Sequence, residues 1–457
     1  MSHHFHPTLL RDYDLRGTVG KTLDAADAWA LGRSFGTIIA RAGGSRIAVG
    51  YDGRLSSPML EAALVDGLTA SGVDVLRIGL GPTPMLYYAE AVCEVDGGIQ
   101  ITGSHNPGDQ NGFKLVQNHA PFFGADIVRL GQMAAAGDWD GVAGRADTIA
   151  LMDGYVARLM QDFDGRAWRI GWDAGNGAAG PVVDKLVQLL PGEHHRLFTQ
   201  IDGNFPNHHP DPSVEANLAD LRALVLDKQL DFGVAFDGDG DRIGVIDGLG
   251  RTIAGDQLLG LFAQDLLETH PGAQIIVDVK TSRAVIDRIA ALGGQPDIWK
   301  TGHSHIKSRM KQTGALLAGE MTGHLFFADD YYGYDDGLYA ATRLIRAASG
   351  AGGSITDRRS AMPAMAVTPE LHIPVDDVRK FTVIAEVCAR LRVMGADMNA
   401  IDGARVTTAD GWWLLRASNT QAALVARAES ADAAGLARLI AEIDSQLAQS
   451  GLDSVEI

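Results

Sequence analysis

Short β-branched runs alternate along most of the chain with Gly- and Asp-rich turns and with segments whose apolar residues recur at helical spacing. This alternation predicts an α/β fold. Three segments read as variants of one unit: RIAVGYDGRLSS (46–57), WRIGWDAGNGAAG (168–180) and QIIVDVKTSRAV (274–285). Each is a buried strand ending in Asp52, Asp173 or Asp278, followed by a turn and a helix. Later in each third a second strand ends in polar residues, in GGIQITGSHN, FGVAFDGDGD and ALLAGEMTGH. A strand, an aspartate and a helix in succession are common. The second element recurring in the same order is what argues for three related domains in tandem. Ligands of α/β sheets sit at the carboxyl ends of strands, so three such ends could face one cleft.

After about residue 361 the texture changes. PAMAVTPELHIPV reads as a strand, FTVIAEVCARLRVM (381–394) as a helix, then three short strands and a terminal helix from Asp432. The expected division is 1–149, 150–250 and 251–361 for three α/β domains with mixed sheets, and 362–457 for an α+β domain. At 457 residues the chain exceeds what one core supports, and three or four domains fit its length.

Composition narrows the function. The formal charge of −18, from 57 acids against 39 bases, argues against nucleic-acid or anionic-membrane binding as the main activity. It also demands that any phosphate ligand find a locally positive cleft. Two cysteines, Cys93 and Cys388, and no start resembling a secretory signal lead us to expect a cytoplasmic protein. The opening SHHFHP resembles a metal tract, though histidines at a chain end are usually idle.

Four constellations carry chemistry. In ITGSHNPGDQNGFKLV (101–116), Gly103 permits a sharp turn that would expose Ser104, with His105 and Lys114 as nearby activating or neutralising groups. By composition alone a plain loop is the favoured reading, and GxSxG is absent. In FGVAFDGDGDRIGVID (232–247), Asp237, Asp239 and Asp241 alternate with glycines at a strand end. Three carboxylates so close repel unless a cation lies among them, and hard oxygen ligands favour Mg2+ over Zn2+. An EF-hand loop fails, since Arg242 and Gly248 stand where Gly and Glu are needed. In LLAGEMTGHLFFADD (316–330), Glu320, Thr322 and His324 could hydrogen-bond adjacent sugar hydroxyls or simply form a βα loop. In WWLLRASNTQAALVARAES (412–430), Arg416, Ser418, Asn419 and Thr420 crowd donors into a turn suited to phosphate, with Arg427 adding charge. DVKTS lacks the glycine before Lys280 that a P-loop needs, and His303 and His305 alone make no zinc site.

YDLRG (13–17), TGSHNP (102–107), NGFK (111–114), DGDGDR (237–242), GEMTGH (319–324) and RASNT (416–420), in this order, resemble the α-D-phosphohexomutase family nearly end to end, in its bacterial phosphomannomutase/phosphoglucomutase group. The resemblance implies four domains around a central cleft, the last like a TATA-binding-protein module. It implies a phosphoserine at Ser104 and Mg2+ on Ser104, Asp237, Asp239 and Asp241. It implies a sugar loop of Glu320, Thr322 and His324, and a phosphate loop of Arg416, Ser418, Asn419 and Thr420. Tyr13, Lys280 and His303 would touch substrate, and Arg16, Lys114, Arg242 and His303 would assist catalysis. The implied reaction interconverts hexose 1-phosphate and hexose 6-phosphate of glucose and/or mannose through a hexose 1,6-bisphosphate. A phosphoglucosamine mutase, a sugar phosphatase and a non-catalytic sugar-phosphate binder are the alternatives. Two departures bear on geometry: Thr322 stands where the family commonly has Ser, and Gln421-Ala422 where many relatives read Glu-Pro. Met321 resembles the mannose/glucose group, since glucosamine-phosphate mutases usually have Gln there.

Overall fold

A computed structural model describes residues 2–161, 163–350, 353–419 and 421–454. Four sheets follow one another along the chain. The first three share a four-strand kernel. Arg46–Tyr51, Trp168–Asp173 and Gln274–Asp278 each lie between two parallel neighbours. One neighbour closes the kernel on its outer side, Asp74–Leu80, Gly192–Leu197 or Gln295–Trp299, and the first of these pairs onward with Ala146–Thr148. The other is Gly97–Ile101, Phe232–Phe236 or Leu317–Gly319, and each of these turns back into an antiparallel strand, Gln110–Gln117, Ile243–Asp247 or Leu325–Phe327. The same strand order three times over makes the repeat structural. The second sheet runs past the boundary expected at 250, because a turn at Asp247–Arg251 lets Thr252–Ile253 pair back onto Ile243–Asp247.

The three strand-end aspartates are buried and pin their own loops. Asp52 accepts from Arg54 N at 3.0 Å and Ser57 Oγ at 2.7 Å. Asp173 accepts from Gly175 N at 2.9 Å and lies 3.0 Å from His208 Nε2. Asp278 accepts from Thr281 Oγ1 at 2.9 Å and Thr301 Oγ1 at 3.1 Å. A carboxylate that accepts several N–H and O–H groups fixes a βα turn without itself reaching a ligand.

The last domain has a six-stranded sheet with helices Arg379–Val393 and Ala433–Gln449. Asp432 caps the terminal helix by accepting from Gly435 N at 2.7 Å, and Leu439, Ile443 and Leu447, four residues apart, are fully buried. Two expectations needed revision. PAMAVTPELHIPV is two pieces, Ala366–Val367 and Leu371–Pro374, split around Pro369, which has no N–H for the ladder. The three strands expected after the helix are four, because Met398–Asn399 adds a short edge pair to Ala404–Thr408.

One apolar cluster runs from Tyr87 through Trp172 and Phe236 to Phe262 and Phe327, so the first three domains share a core. Separate clusters fill the rest of the first domain and the last. The N-terminal histidine tract is not idle structurally: His3 Nε2 lies 2.8 Å from Asp27 Oδ1. No helix among the described residues is long and apolar enough to cross a membrane.

Candidate active site

The carboxyl-end loops of the second strands converge. Thr102–Pro107 follows Gly97–Ile101, and Asp237–Arg242 follows Phe232–Phe236. Gly238 is where the two loops touch: a Cβ there would lie 2.4 Å from the Ser104 carbonyl oxygen, so only glycine allows this approach. Ser104 takes a left-handed conformation, φ 50°, and its Oγ donates to Asp237 Oδ2 at 2.9 Å and lies 3.2 Å from His105 Nδ1. Sequence reasoning expected an exposed serine. It is 1% exposed, because the second domain closes over the turn.

Asp237, Asp239 and Asp241 are fully buried and offer oxygens close enough together to share one ion. Lys114 donates to Asp239 Oδ2 at 2.7 Å and Asp241 Oδ2 at 2.5 Å, and Thr83 Oγ1 also donates to Asp239. Burial and the two neighbouring carboxylates push Asp237 well above the usual carboxylate range, and burial with Asp239 raises Asp241. Burial also opposes ionisation of Asp239, but Lys114 overrides it and holds this carboxyl low. Burial likewise opposes charge on Lys114, yet Asp239 and Asp241 keep its pKa above that of a free lysine. It is a fixed cation. Asp239 Oδ1 and Asp241 Oδ1 are buried with no hydrogen-bond partner among the described residues. Such all-oxygen, carboxylate-rich donors fit a hard divalent cation.

The third domain joins through a bridge between Arg242 and His324. Arg242 Nε donates to His324 Nε2 at 2.9 Å, which places the imidazole proton on Nδ1, 3.0 Å from Asp335 Oδ2. The His303 ring stacks on His324 with centroids 5.6 Å apart. Burial first, then Lys307, depress His303 well below an ordinary histidine, so it is neutral. Glu320 Oε2 accepts from Gly302 N at 3.3 Å, and burial raises its pKa. Glu320 Oε1, Thr322 Oγ1 and His303 Nδ1 are buried without a partner among the described residues.

The last domain meets the first at Tyr13, whose hydroxyl donates to the Thr301 carbonyl at 3.1 Å and accepts from Asn419 Nδ2. Arg416 Nε donates to Asp402 at 3.0 Å while its Nη2 is buried and unpaired among the described residues. Ser418 N donates to the Ala423 carbonyl, and Lys280 pairs with Glu370 at 3.1 Å across the third and fourth domains. Arg427 lies 5.9 Å from the Trp412 ring, with Nε and Nη1 buried and unpaired among the described residues. Thr420 lies outside the described residues. Arg16 donates to Asp14 at 2.7 Å and to Asn106 Oδ1 at 3.1 Å, beside the serine turn. A chain of contacts thus runs from Ser104 through Asp237, Arg242, His324, His303 and Tyr13 to Asn419.

Sequence reasoning missed Arg54, Asp335, Lys307 and Asp402. Arg54 had a signal, standing two residues beyond a strand-end aspartate. The others are revealed only by tertiary partners.

This is the arrangement of an enzyme whose site draws on four domains, and the comparisons with known proteins agree. Residues 7–129, 153–250 and 254–365 match phosphoglucomutase/phosphomannomutase alpha/beta/alpha domains I, II and III, and residues 370–446 match the C-terminal domain of the same family. The chain belongs to the phosphoglucomutase/phosphomannomutase family. It is 44% identical to a phosphomannomutase/phosphoglucomutase of Pseudomonas putida over 94% of each chain. It is 44% identical to a phosphoglucomutase of Neisseria gonorrhoeae, covering 94% of this chain and 95% of that one. A crystal structure of a phosphoglucomutase/phosphomannomutase family protein from Burkholderia thailandensis superposes with a TM-score of 0.94 at 41% identity, covering 99% of this chain and all of the other.

Proposed function

We propose that this protein interconverts hexose 1-phosphate and hexose 6-phosphate, with glucose or mannose as the sugar, through a phosphoserine at Ser104 and a bound hexose 1,6-bisphosphate. The observation that carries the proposal is the 2.9 Å contact between Ser104 Oγ and Asp237, inside a cluster of three buried aspartates.

In the first half-reaction a sugar hydroxyl oxygen attacks the phosphorus on Ser104, the P–Oγ bond breaks, and the hydroxyl proton leaves to a base. His303 suits that role, being neutral with Nδ1 unpaired among the described residues. Lys114 does not, since its ion pairs keep it charged. Arg242, Arg16 and Lys114 place positive charge around the transferring group. A Mg2+ ion held by Asp237, Asp239, Asp241 and Ser104 would offset negative charge developing on the phosphoryl oxygens. Glu320 and Thr322, with Oε1 and Oγ1 unpaired among the described residues, hold the sugar hydroxyls, and His324, its ring nitrogens turned to Arg242 and Asp335, fixes the loop beside them. Arg416, Ser418, Asn419 and Thr420, with Tyr13 and Lys280, grip the phosphate that is not transferring. The second half-reaction returns the other phosphate of the bisphosphate to Ser104 after the sugar turns over in the cleft.

Phosphorylated enzyme incubated with glucose 1-phosphate should give glucose 6-phosphate and little free phosphate. Mostly free phosphate would make it a phosphatase. Side-by-side kcat/KM for glucose, mannose and glucosamine 1-phosphates assigns the sugar, and the reading expects glucosamine 1-phosphate to be the poorest.

A further inference from the structure

We infer that Arg54 is the positioning residue of the serine turn, holding Ser104 at its place over the aspartates without touching substrate. A guanidinium has five N–H donors and no acceptor. In Arg54 all five are used. Nε donates to Asp52 Oδ2 at 3.2 Å. Nη1 donates to the carbonyls of Pro107 at 2.6 Å and Gln110 at 2.8 Å. Nη2 donates to the carbonyls of Ser104 at 2.7 Å and Asn106 at 2.6 Å. The side chain is fully buried and ion-paired to Asp52. A group so fully engaged has nothing left for a phosphate.

Its effect is on the backbone. The carbonyls of residues 104, 106, 107 and 110 point inward at one centre, which winds the turn around the guanidinium and sustains the left-handed Ser104. The Ser104 carbonyl is also the atom against which Gly238 packs, so Arg54 sets the register between the nucleophile and the aspartate loop. The second domain closes the assembly from behind: the Phe205 ring lies 5.2 Å from the guanidinium, and a Cβ on Gly203 would meet the Arg54 backbone at 2.9 Å. A lysine has three donors in a different geometry and leaves at least two of these five acceptors unpaired.

This inference rests on the mutase reading for its kinetic arm but not for its structural arm. In full-length R54K, kcat should fall by about 30-fold or more while KM for glucose 1-phosphate stays within about threefold, because the groups gripping the sugar lie elsewhere. Amide hydrogen exchange across residues 102–110 should rise by about tenfold or more, with the Gln274–Asp278 strand unchanged. Gly103→Ala is the second variant: it keeps every charge, but its Cβ would lie 2.5 Å from Arg54 Cζ, and it should shift both readouts the same way. A folded R54K with wild-type kcat and wild-type exchange overturns the inference. Should R54K fail to fold, a G103A that leaves both unchanged overturns it. If the wild type itself shows no mutase turnover, the functional reading fails, and the exchange arm decides Arg54 alone.

Discussion

Lys114, on the Gln110–Gln117 strand of the first sheet, reaches into the second domain and bridges Asp239 and Asp241 at 2.7 and 2.5 Å. The lysine is 3% exposed and both carboxylates are fully buried. One cation therefore balances two carboxylates of the trio proposed to hold Mg2+. Lysine and ion would stabilise the same negative charge and weaken each other's hold on it.

Removing the lysine should expose that competition. Breaking a buried ion pair from one side costs about 3–5 kcal/mol. Lys114→Met should lose stability of that order without Mg2+, bind Mg2+ more tightly than the wild type, and show a larger rise in melting temperature on Mg2+ addition. Its turnover should fall as well. Thermal melts with and without Mg2+, with calorimetric titration, test this, and a Mg2+ response no larger than that of the wild type would defeat it.

Ser104 combines the hydroxyl proposed to carry the phosphoryl group with a left-handed backbone, φ 50°. Ser104→Ala and Ser104→Gly both delete the hydroxyl, but only glycine adopts this conformation without steric cost. Both should lose turnover by three orders of magnitude or more. The glycine variant should be the more stable by about 1 kcal/mol. Chemical denaturation of the pair tests the strain, and equal stability argues against it.

Asp336 joins the second and third domains, accepting from the hydroxyls of Tyr155 at 2.9 Å and Tyr331 at 2.8 Å and from Tyr339 N at 2.9 Å. Burial outweighs these bonds and raises its pKa from 3.8 to about 6. Between about pH 4 and 6 the folded protein keeps a proton that the unfolded chain has released. This group's contribution to stability therefore falls as pH rises through that window, by about 3 kcal/mol in all. Asp336→Asn cannot titrate and keeps an acceptor for Tyr339 N. The unfolding free energy of the wild type relative to D336N should drop by about that amount from pH 4 to pH 7. Urea unfolding at the two pH values measures it, and a constant difference refutes it.

Tyr13 ties the first domain to Thr301 and Asn419 through one hydroxyl. Tyr13→Phe removes both hydrogen bonds while keeping the ring against His303 and His305. At about 1 kcal/mol per hydrogen bond, KM for the phosphosugar should rise about five- to thirtyfold, with kcat changed much less. A variant with unchanged KM would show that this hydroxyl does not help seat the phosphate loop.

What could be read from the chain, and what could not, divides along physical lines. The strand ends at Asp52, Asp173 and Asp278 were legible because a buried β run meeting Asp and Gly leaves few backbone choices. The aspartate loop was legible because charge density so high at one place demands a partner. The burial of Ser104 was not, since it depends on another domain packing over the turn. Nor was the role of Arg54, whose carbonyl acceptors lie 50 to 56 residues away and come into reach only once Gly97–Ile101 has paired beside Arg46–Tyr51. Asp335 shows the same limit: in sequence it is one acid in a loop, and only folding sets it beside His324.

The repeated strand order carries an evolutionary consequence. Each copy of the kernel delivers its working loop at the same place, while its strand-end aspartate fixes the neighbouring turn, so three loops of different chemistry ride on one frame. One copy carries a hydroxyl, another a cluster of acids, a third a carboxylate with an imidazole. Because Gly238 packs on Ser104 and Arg242 on His324, a change in one loop calls for a matching change in its siblings, and the three are bound to vary together.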